Sequence, residues 1–323
     1  MPKLSVIIPV YGVEKYIERC VRSLFKQTLD DIEYIFVDDC SLDRSVSILK
    51  EIIEEYHPFF AEKQWTYRIE RLPKNNGQAA VRRYGIALAT GDYVIHCDSD
   101  DWTDAHMYEE MYCKAVTEDL DIVVCDYFKT DGEHHTLYKN GVKSDFDWED
   151  YFRQLLTYRC TTSLWTKMVK RHLYSRPDFM YPKENMWEDY VFSIQLFYFA
   201  KRIGYVPKPL YYYYINPQSI CNINIDSRQV QLQHNCRLIL QFLQAKNLME
   251  KYQHQILFFK YMSRSEVVRF TKEKKYLTLW RSTFPEVNRL FWTCPEFSLR
   301  EKVKFVAIYL GLYNYLLIKR KPS

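Results

Sequence analysis

The sequence lacks the features that mark several large classes of protein. No apolar run follows a basic stretch near its start, since Met1–Lys3 lead directly into the strand-like segment Leu4–Val10, which is too short for a signal peptide. The nine cysteines of the 323-residue chain are odd in number and include no CxxC pair, which argues against a disulfide framework and a zinc site. We therefore expect a cytoplasmic protein with reduced, buried thiols.

Charge and phosphate-binding motifs are also sparse. The formal net charge of +4 is too small to indicate nucleic acid binding. The chain contains no internal repeat, no GxGxxG turn and no GxxxxGK[ST] loop, so neither a dinucleotide-binding fold nor a P-loop is predicted. What it does contain is 47% hydrophobic residues, enough for a substantial core, and 28 tyrosines, which suit a core and a sugar-stacking surface about equally.

Hydrophobic periodicity predicts alternating strands and helices in the first 126 residues. This alternation indicates an α/β fold with a mostly parallel sheet sandwiched by helices. Residues 130–147 are polar and loop-like, and beyond Asp226 the pattern is helical, so we predict one domain over residues 1–225 and a helical region over 226–323. The predicted strands are 4–10, 33–37, 67–72, 92–97 and 121–126, and the predicted helices are 14–27, 43–56, 78–89 and 104–116.

A run of acidic residues, Asp98–Asp101, directly follows the predicted strand 92–97. Ligands of such sheets bind beyond the carboxyl ends of the strands. Packed carboxylates repel one another and one pKa rises unless a counter-ion is present, which a divalent cation would supply. Hard oxygen donors suit Mg²⁺ or Mn²⁺, which also bridge to substrate phosphates. The alternative is a solvated acidic turn.

Two further segments point to the same edge of the sheet. Asp38 and Asp39 follow the strand 33–37, and a fixed carboxylate accepts hydrogen bonds from a nucleobase imide or from ribose hydroxyls. Asn76–Gly77 turns the chain into a helix whose Arg82, one turn further in, could reach diphosphate oxygens. A surface arginine on an amphipathic helix is the alternative.

These segments in this order resemble the family 2 glycosyltransferases, which are inverting enzymes of the GT-A fold. The resemblance is strong over the first third of the chain and looser to about Ser219. One departure is Val81-Arg82-Arg83, where the family often has Ala-Arg-Asn. The motifs that carry the resemblance are Ser5–Tyr11, Val37–Asp43, Asn76–Gly77, Arg82 and Gly91–Asp101.

The resemblance implies metal-dependent transfer of a sugar from a nucleotide-sugar, with a UDP-sugar as the leading candidate, to a hydroxyl of a glycan or lipid-linked glycan. Asp38 or Asp39 would hold the base, Asp98 would meet the ribose or the metal, and Asp100 would ligate Mn²⁺ or Mg²⁺. The expected nucleotide-binding residues are Pro9, Val10, Tyr11, Asp38, Asp39, Asn76, Gly77, Arg82, Asp98 and Ser99, and the expected metal ligands are Asp100 and Asp98.

The expected catalytic base lies further along the chain. Trp187–Tyr190 resembles the Glu-Asp pair of these enzymes, which makes Asp189 the first candidate and Glu188 the second. The alternative is an acid-rich helix N-terminus, which the helix dipole favours. Lys167 and the tyrosines at 211–214 lie in segments that resemble the subset building bacterial surface polysaccharides. Lys167 could touch phosphate or cover the surface, whereas the tyrosines fit strand core better than a sugar platform.

The end of the chain is apolar and aromatic, with basic residues on both sides. Residues 303–318 are too few for a membrane span, which needs about 20 apolar residues. Such a segment can lie in the interface of an anionic leaflet, so 303–321 could hold the enzyme on the inner face of the cell membrane. A helix packed on the protein is an equally supported alternative.

Two rival functions are weaker. A sugar nucleotidyltransferase would need a glycine- and lysine- or arginine-rich loop after the first strand, and Pro9–Glu14 is not such a loop. A sugar-nucleotide-binding scaffold without catalysis would not need the retained Asp98, Asp100 and Asp189.

Overall fold

The computed structural model describes residues 1–140, 147–216, 225–268 and 273–312. The chain forms two compact units. The first comprises Met1–Phe152 and Cys160–Asn222, and the second comprises Arg153–Arg159 and Ile223–Ser323. The short segment 153–159 of the second unit has no counterpart in the division at residue 225 that the sequence predicts.

The described part of the first unit is built on one sheet with helices on its faces. The helices are α1 (Ile17–Leu24), α2 (Ser45–Lys63), α3 (Gln78–Leu88), α4 (Met107–Thr117), α5 (Trp148–Leu156), whose end belongs to the second unit, and α6 (Glu188–Phe199). The strands are β1 (Leu4–Val10), β2 (Ile32–Asp38), β3 (Thr66–Arg71), β4 (Tyr93–His96), β5 (Trp102–Thr103), β6 (Ile122–Thr130), β7 (His135–Tyr138), β8 (Lys167–Lys170) and β9 (Ile203–Tyr214).

The strand order is β3-β2-β1-β4-β8-β6-β9-β5, with β7 paired to β6. The predicted α/β fold is confirmed, and the predicted parallel pairing holds from β3 through β4. Beyond β4 the sheet is mixed, because β8 runs antiparallel to both β4 and β6 while β6 and β9 are parallel. The prediction of a loop over 130–147 was wrong at β7, an exposed strand whose sequence does not alternate between apolar and polar residues.

Both faces of the central strand β1 are buried, which explains its continuous apolar sequence. Its Leu4, Val6 and Ile8 belong to the same core as the apolar face of α1, and Ile7 lies against Gly85 of α3. Helix α2 continues past its predicted end at residue 56 because Phe60, one turn further, is buried in this core. Strand β1 is therefore packed on both faces up to Val10, where the loop that follows it begins.

The second unit is helical, as predicted for this part of the chain. Buried residues between positions 257 and 308 form an aromatic core in which Phe305 stacks on Phe291 with ring centroids 3.7 Å apart. No helix in the described ranges combines the length and apolar content needed to cross a membrane. Residues 313–321 of the predicted membrane segment lie outside the described residues. The helices are α7 (Ile225–Ala245), α8 (Gln253–Val268), α9 (Lys274–Ser282), α10 (Val287–Leu290) and α11 (Leu299–Tyr309).

Candidate active site

The carboxyl ends of β1, β2 and β4 meet at one edge of the sheet, where the sequence places its candidate residues. β1 pairs in parallel with both of the other strands. The backbone N–H of Asp39 donates to the carbonyl of Val10 at 2.9 Å, and that of Cys97 donates to Ile7 at 3.0 Å. Pro9 and Val10 end β1, and Tyr11 follows with 47% of its surface exposed. The expected clustering of these loops is present.

Asp39 fixes the turn that leads into α3. Its two carboxylate oxygens accept hydrogen bonds from the backbone N–H groups of Asn76 and Gly77, each at 2.8 Å. Gly77 has a φ of +81°, and a Cβ there would lie 2.2 Å from the side chain of Asn185, so both conformation and space require glycine. The Asn185 side chain in turn accepts from the N–H of Ala79 at 3.0 Å.

Asp38 is also engaged with its surroundings. One oxygen accepts from the N–H of Ser41 at 2.7 Å, and the other lies 3.2 Å from the guanidinium of Arg71. Asp38 is buried, whereas the side chain of Arg71 is 56% exposed. Asp38 and Asp39 are the carboxylates expected to bind the nucleobase. Each of their oxygens already has one hydrogen-bond or ion-pair partner and retains a second acceptor position.

Arg82 lies at the centre of the site and is only 2% exposed. Its Nη2 donates to Asp98 Oδ1 at 2.9 Å, and its Nε lies 3.4 Å from Glu188 Oε1. Burial lowers the pKa of Arg82, but the charges of Asp98 and Glu188 more than offset this, so the net shift is upward. The surface alternative for this residue is therefore excluded. Its Nη1 is buried without a hydrogen-bond partner in the described structure.

The acidic run Asp98–Asp101 divides into two parts with different surroundings. Asp101 is fully buried and accepts from the Tyr211 hydroxyl and from the N–H of Tyr214, both at 2.7 Å. The same Tyr211 oxygen accepts from the N–H of Asp98 at 3.1 Å. Ser99 is buried as well. Asp101 therefore anchors the run to β9 and leaves Asp98 and Asp100 as the candidates for ligand binding.

Asp100 is held from two sides. Its Oδ2 accepts from Asn216 Nδ2 at 2.9 Å, and its carbonyl accepts from Arg19 Nη2 at 2.8 Å. Burial raises the pKa of Asp100, and the nearby charge of Asp98 raises it further against the hydrogen bond from Asn216. A cation at this position would offset both effects.

The residues present fit a divalent cation that takes most of its ligands from elsewhere. In the described ranges, no three His, Cys, Asp or Glu side chains form a group able to enclose a metal ion. Two carboxylates are nevertheless sufficient for Mg²⁺ or Mn²⁺ of the kind that completes its shell with water and substrate phosphate. Asp98 and Asp100 would supply those hard oxygen donors.

The two acids of the candidate base motif differ in environment. Glu188 is buried and faces Arg82, whereas Asp189 is partly exposed and accepts from the Thr162 hydroxyl at 2.9 Å and the N–H of Tyr190 at 2.7 Å. Burial raises the pKa of Asp189, while the hydrogen bond from Thr162 opposes the rise. Burial also raises the pKa of Glu188, and the neighbouring charge of Asp189 adds to it. Of the two, Glu188 forms the ion pair with Arg82, while the charge of the same arginine lowers the pKa of Asp189 from further away.

Lys167 is buried, so the interpretation that it covers the surface was wrong, whereas a contact with phosphate stays a prediction. It is 1% exposed, and its Nζ donates to the carbonyls of Thr161 and Ser163 at 2.9 and 2.8 Å. Of the tyrosines at 211–214, Tyr211 is fully buried, which agrees with the expectation of strand core, whereas the other three are half-buried and Tyr212 stacks on Trp102.

Sequence reasoning missed several residues that contact the candidate side chains. They share no motif, and each lies between 20 and 116 positions from the residue it contacts. The type of a polar residue and its place in the sequence give no sign of such a distant partner. They are Gln78 and Tyr211 at Asp98, Arg71 at Asp38, Asn185 at the start of α3, Asn216 at Asp100 and Thr162 at Asp189.

Known proteins share both the sequence and the fold. The chain is 31% identical over 229 residues to the uncharacterized glycosyltransferase EpsJ of Bacillus subtilis, an alignment that covers 69% of this chain and 64% of EpsJ. The crystal structure of S. aureus TarS 1-349 in complex with UDP-GlcNAc matches 99% of this chain and 93% of TarS 1-349, with a TM-score of 0.62 at 18% identity. The mannosyltransferase PcManGT of Pyrobaculum calidifontis, in complex with GDP-Man and Mn²⁺, matches 99% and 88% with a TM-score of 0.53 at 14% identity.

The family assignment rests on a match that extends beyond the short sequence motifs of the strand ends. The family model described as "Glycosyl transferase family 2" matches residues 5–180, more than half of the chain. Its range includes the three strand ends, α3 with Arg82, and the acidic run. The chain belongs to glycosyl transferase family 2.

Proposed function

We propose that this enzyme transfers a sugar from a nucleoside diphosphate sugar, with a UDP-sugar first, to a hydroxyl of a glycan or lipid-linked glycan in bacterial surface polysaccharide assembly. The observation that carries the proposal is the position of Arg82. One buried, permanently charged guanidinium joins Asp98, on the side where the donor would lie, to Glu188 of the candidate base motif. This arrangement places one positive charge between the carboxylate on the donor side and the carboxylates of the candidate base motif.

On the donor side, the nucleotide would lie across the loops after β1 and β2. Asp39 and Asp38 have acceptor positions left for an imide N–H or a hydroxyl, and Tyr11 offers an exposed ring beside them. The exposed Arg71, held at Asp38, adds a positive charge at this edge. The bound UDP-GlcNAc of the TarS structure and the bound GDP-Man of PcManGT support a nucleotide-sugar as the donor.

Asp100 and Asp98 would hold Mn²⁺ or Mg²⁺ together with the donor phosphates. The metal would offset the negative charge that builds up on the departing diphosphate. Arg82 would act in the same direction, since its unpartnered Nη1 still has hydrogen atoms to donate. The Mn²⁺ bound to PcManGT supports a divalent cation.

On the acceptor side, Asp189 would serve as the general base. The acceptor oxygen would attack the anomeric carbon on the face opposite the diphosphate, its proton passing to Asp189 as the bond from carbon to phosphate oxygen breaks. Inversion of the anomeric configuration follows from that geometry. Glu188 is the weaker candidate because Arg82 already occupies its carboxylate.

The test is a panel of sugar nucleotides (UDP-glucose, UDP-galactose, UDP-GlcNAc and GDP-mannose) assayed for nucleotide release with Mn²⁺, Mg²⁺ or EDTA. We expect metal-dependent release from at least one of them, faster when a glycan acceptor is added. Tight binding without any release in the presence of acceptors would instead indicate a binding scaffold. Release of pyrophosphate from a nucleoside triphosphate and a sugar phosphate would indicate a nucleotidyltransferase.

We further propose that the second unit contacts the inner face of the cell membrane. Helix α11 buries Phe305 but leaves Leu299 and Val303 79% and 59% exposed, and these two residues lie one turn apart. The Nζ of Lys302 bonds to the carbonyl of Trp292, whose side chain is 57% exposed. Exposed apolar and aromatic side chains beside basic ones suit the interface of an anionic bilayer.

Binding to vesicles of anionic and zwitterionic lipid tests this second proposal. Removing residues 301–323 would take Phe305 out of the core, so point substitutions are the sharper tool. Leu299→Ser with Val303→Ser is expected to weaken binding to anionic vesicles several-fold while the melting temperature stays close to wild type. Absence of binding to either kind of vesicle would contradict a membrane role, and equal, salt-independent binding to both would contradict recognition of an anionic surface.

A further inference from the structure

Three consecutive carbonyls precede β8, and each accepts a hydrogen bond from a buried side chain. Lys167 Nζ donates to Thr161 O at 2.9 Å and to Ser163 O at 2.8 Å. The carbonyl between them, Thr162 O, accepts from Ser193 Oγ at 2.6 Å. We call Lys167 and Ser193 the carbonyl clamp. Since a loop of this kind would otherwise turn its carbonyls to water, the clamp fixes the direction of residues 161–163.

Burying the charged Lys167 side chain is energetically unfavourable, which suggests that the clamp has a function beyond filling space. Lys167 is buried, and burial lowers its pKa to about 8, although the charges of Cys160 and Asp189 oppose the shift. A buried ammonium is tolerated only when its hydrogen atoms have acceptors, and here Thr161, Ser163 and Thr166 provide three. An apolar side chain would fill the same space at lower cost but would hold no carbonyl.

What the clamp orients is the Thr162 side chain. Its hydroxyl donates to Asp189 Oδ2 at 2.9 Å, and the other carboxylate oxygen accepts from the N–H of Tyr190 at 2.7 Å. A hydroxyl has one proton to donate, so Thr162 commits it to this carboxylate. Ser193 lies four residues after Asp189, on the same face of α6. The same helix therefore carries Asp189 and, through Ser193, holds the carbonyl of Thr162, whose hydroxyl binds Asp189.

We propose that Thr162 is a positioning residue for the base of this enzyme, and that Lys167 and Ser193 hold it in place. The inference rests on the proposed role of Asp189. The Thr162 hydroxyl fixes the rotation of the carboxylate, so that one lone pair of the base points to the acceptor hydroxyl. Its hydrogen bond also stabilises the charged form of Asp189, which keeps the base deprotonated to lower pH.

The experiment compares Thr162→Val, which keeps the shape of the side chain and removes the hydroxyl, with Thr162→Ser, which keeps the hydroxyl. The pKa of Asp189 is followed by ¹³C NMR of the labelled aspartate carboxyl, assigned by its loss in Asp189→Asn. We expect a higher pKa in Thr162→Val and recovery in Thr162→Ser. This readout needs no substrate, and a loss of packing alone would not reverse with the hydroxyl.

The same variants are assayed for Mn²⁺-dependent nucleotide release from the best donor of the sugar-nucleotide panel. We expect Thr162→Val to lower kcat by about 10-fold with little change in donor KM, on the scale of one lost positioning interaction. The acid limb of its pH profile should move to higher pH, and Thr162→Ser should return it. Should Thr162→Val not fold, Ser193→Ala, which releases the Thr162 carbonyl, is expected to give the same shifts to a smaller extent.

An Asp189 pKa and a pH profile unchanged in Thr162→Val would overturn the inference. The proposed function fails separately, since it falls if no donor of the panel gives nucleotide release, and the proposed role of Asp189 falls if Asp189→Asn keeps its activity. If Asp189→Asn is inactive while Thr162→Val behaves as wild type, only the role of Thr162 is lost.

Discussion

The two sides of the candidate site are constructed by different means. On the proposed donor side, parallel strands bring Asp38, Asp39 and Asp98 to one edge through backbone hydrogen bonds. On the proposed acceptor side, the Thr162 hydroxyl holds Asp189, and the carbonyl clamp of Lys167 and Ser193 holds the Thr162 segment. The donor side thus depends on the regular repeat of a sheet and the acceptor side on individual side chains. Helix α3 touches both, through Arg82 and through its start at Gly77.

The largest effect is expected from removing Arg82, the group that contacts both sides of the site. Arg82→Met leaves Asp98 and Glu188 without their common cation, and one unpaired buried charge typically costs about 3–5 kcal/mol of stability. We expect a large fall in melting temperature and loss of nucleotide release. Calorimetric unfolding measures the first and the panel assay the second.

Arg83 offers the matched control, because it is the next residue along the chain and is exposed, with its guanidinium 5.4 Å from the ring centre of Tyr181. Arg83→Met should leave both measurements near wild type. Equal effects of the two substitutions would mean that Arg82 has no special place in the site.

A second substitution acts on the donor side alone. Asp100→Ala is expected to abolish transfer and to remove the part of nucleotide affinity that depends on Mn²⁺ or Mg²⁺. Titration calorimetry with UDP in Mn²⁺ and in EDTA separates that part from the rest. Affinity in EDTA serves as the control and should match wild type, whereas an unchanged affinity in Mn²⁺ would refute the metal role.

On the acceptor side, Asp189→Asn is expected to lower turnover by about 10²-fold or more while UDP affinity stays nearly intact. In the wild type, burial raises the pKa of Asp189, so the base is protonated at a higher pH than an exposed aspartate would be. Activity should therefore fall as the pH drops through that raised pKa, and rise above it. Near-normal turnover of Asp189→Asn would move the base to Glu188 or elsewhere.

The smallest effect is expected at Gly77, which precedes the helix that contacts both sides of the site. Gly77→Ala introduces a Cβ at a positive φ and against Asn185, which should cost about 1–3 kcal/mol. Because Gly77 also bonds to Asp39, UDP affinity should fall, which fluorescence or calorimetric titration can follow. Asn185→Gly removes the clash, and combining it with Gly77→Ala should restore part of the loss. Asn185→Gly alone is the control, because it also removes the acceptor for the N–H of Ala79, and no recovery beyond this control would place the strain in the backbone alone.

The same contrast explains what could be predicted from the sequence. The alternation of strands and helices predicts parallel strands whose carboxyl ends share one edge of the sheet. Asp38 and Asp98 are therefore expected at one edge, and they lie at the ends of β2 and β4 on either side of β1. Lys167 and Thr162 could not be placed, because their role depends on carbonyls and carboxylates brought near by folding. Apolar pattern carries no information about such bonds. For that reason the sequence identified the candidate base but not the residues that hold it.

Asp101 has a consequence for protein engineering. It bonds to Tyr211 and to the backbone of Tyr214, and Tyr211 bonds back to Asp98, so the acidic run and β9 form one unit despite the 110 positions between them. A hybrid enzyme that joins this N-terminal part to another family member before β9 would separate the motif from its support. The crossover should instead follow Asn216, so that the tyrosine strand travels with the aspartates it holds.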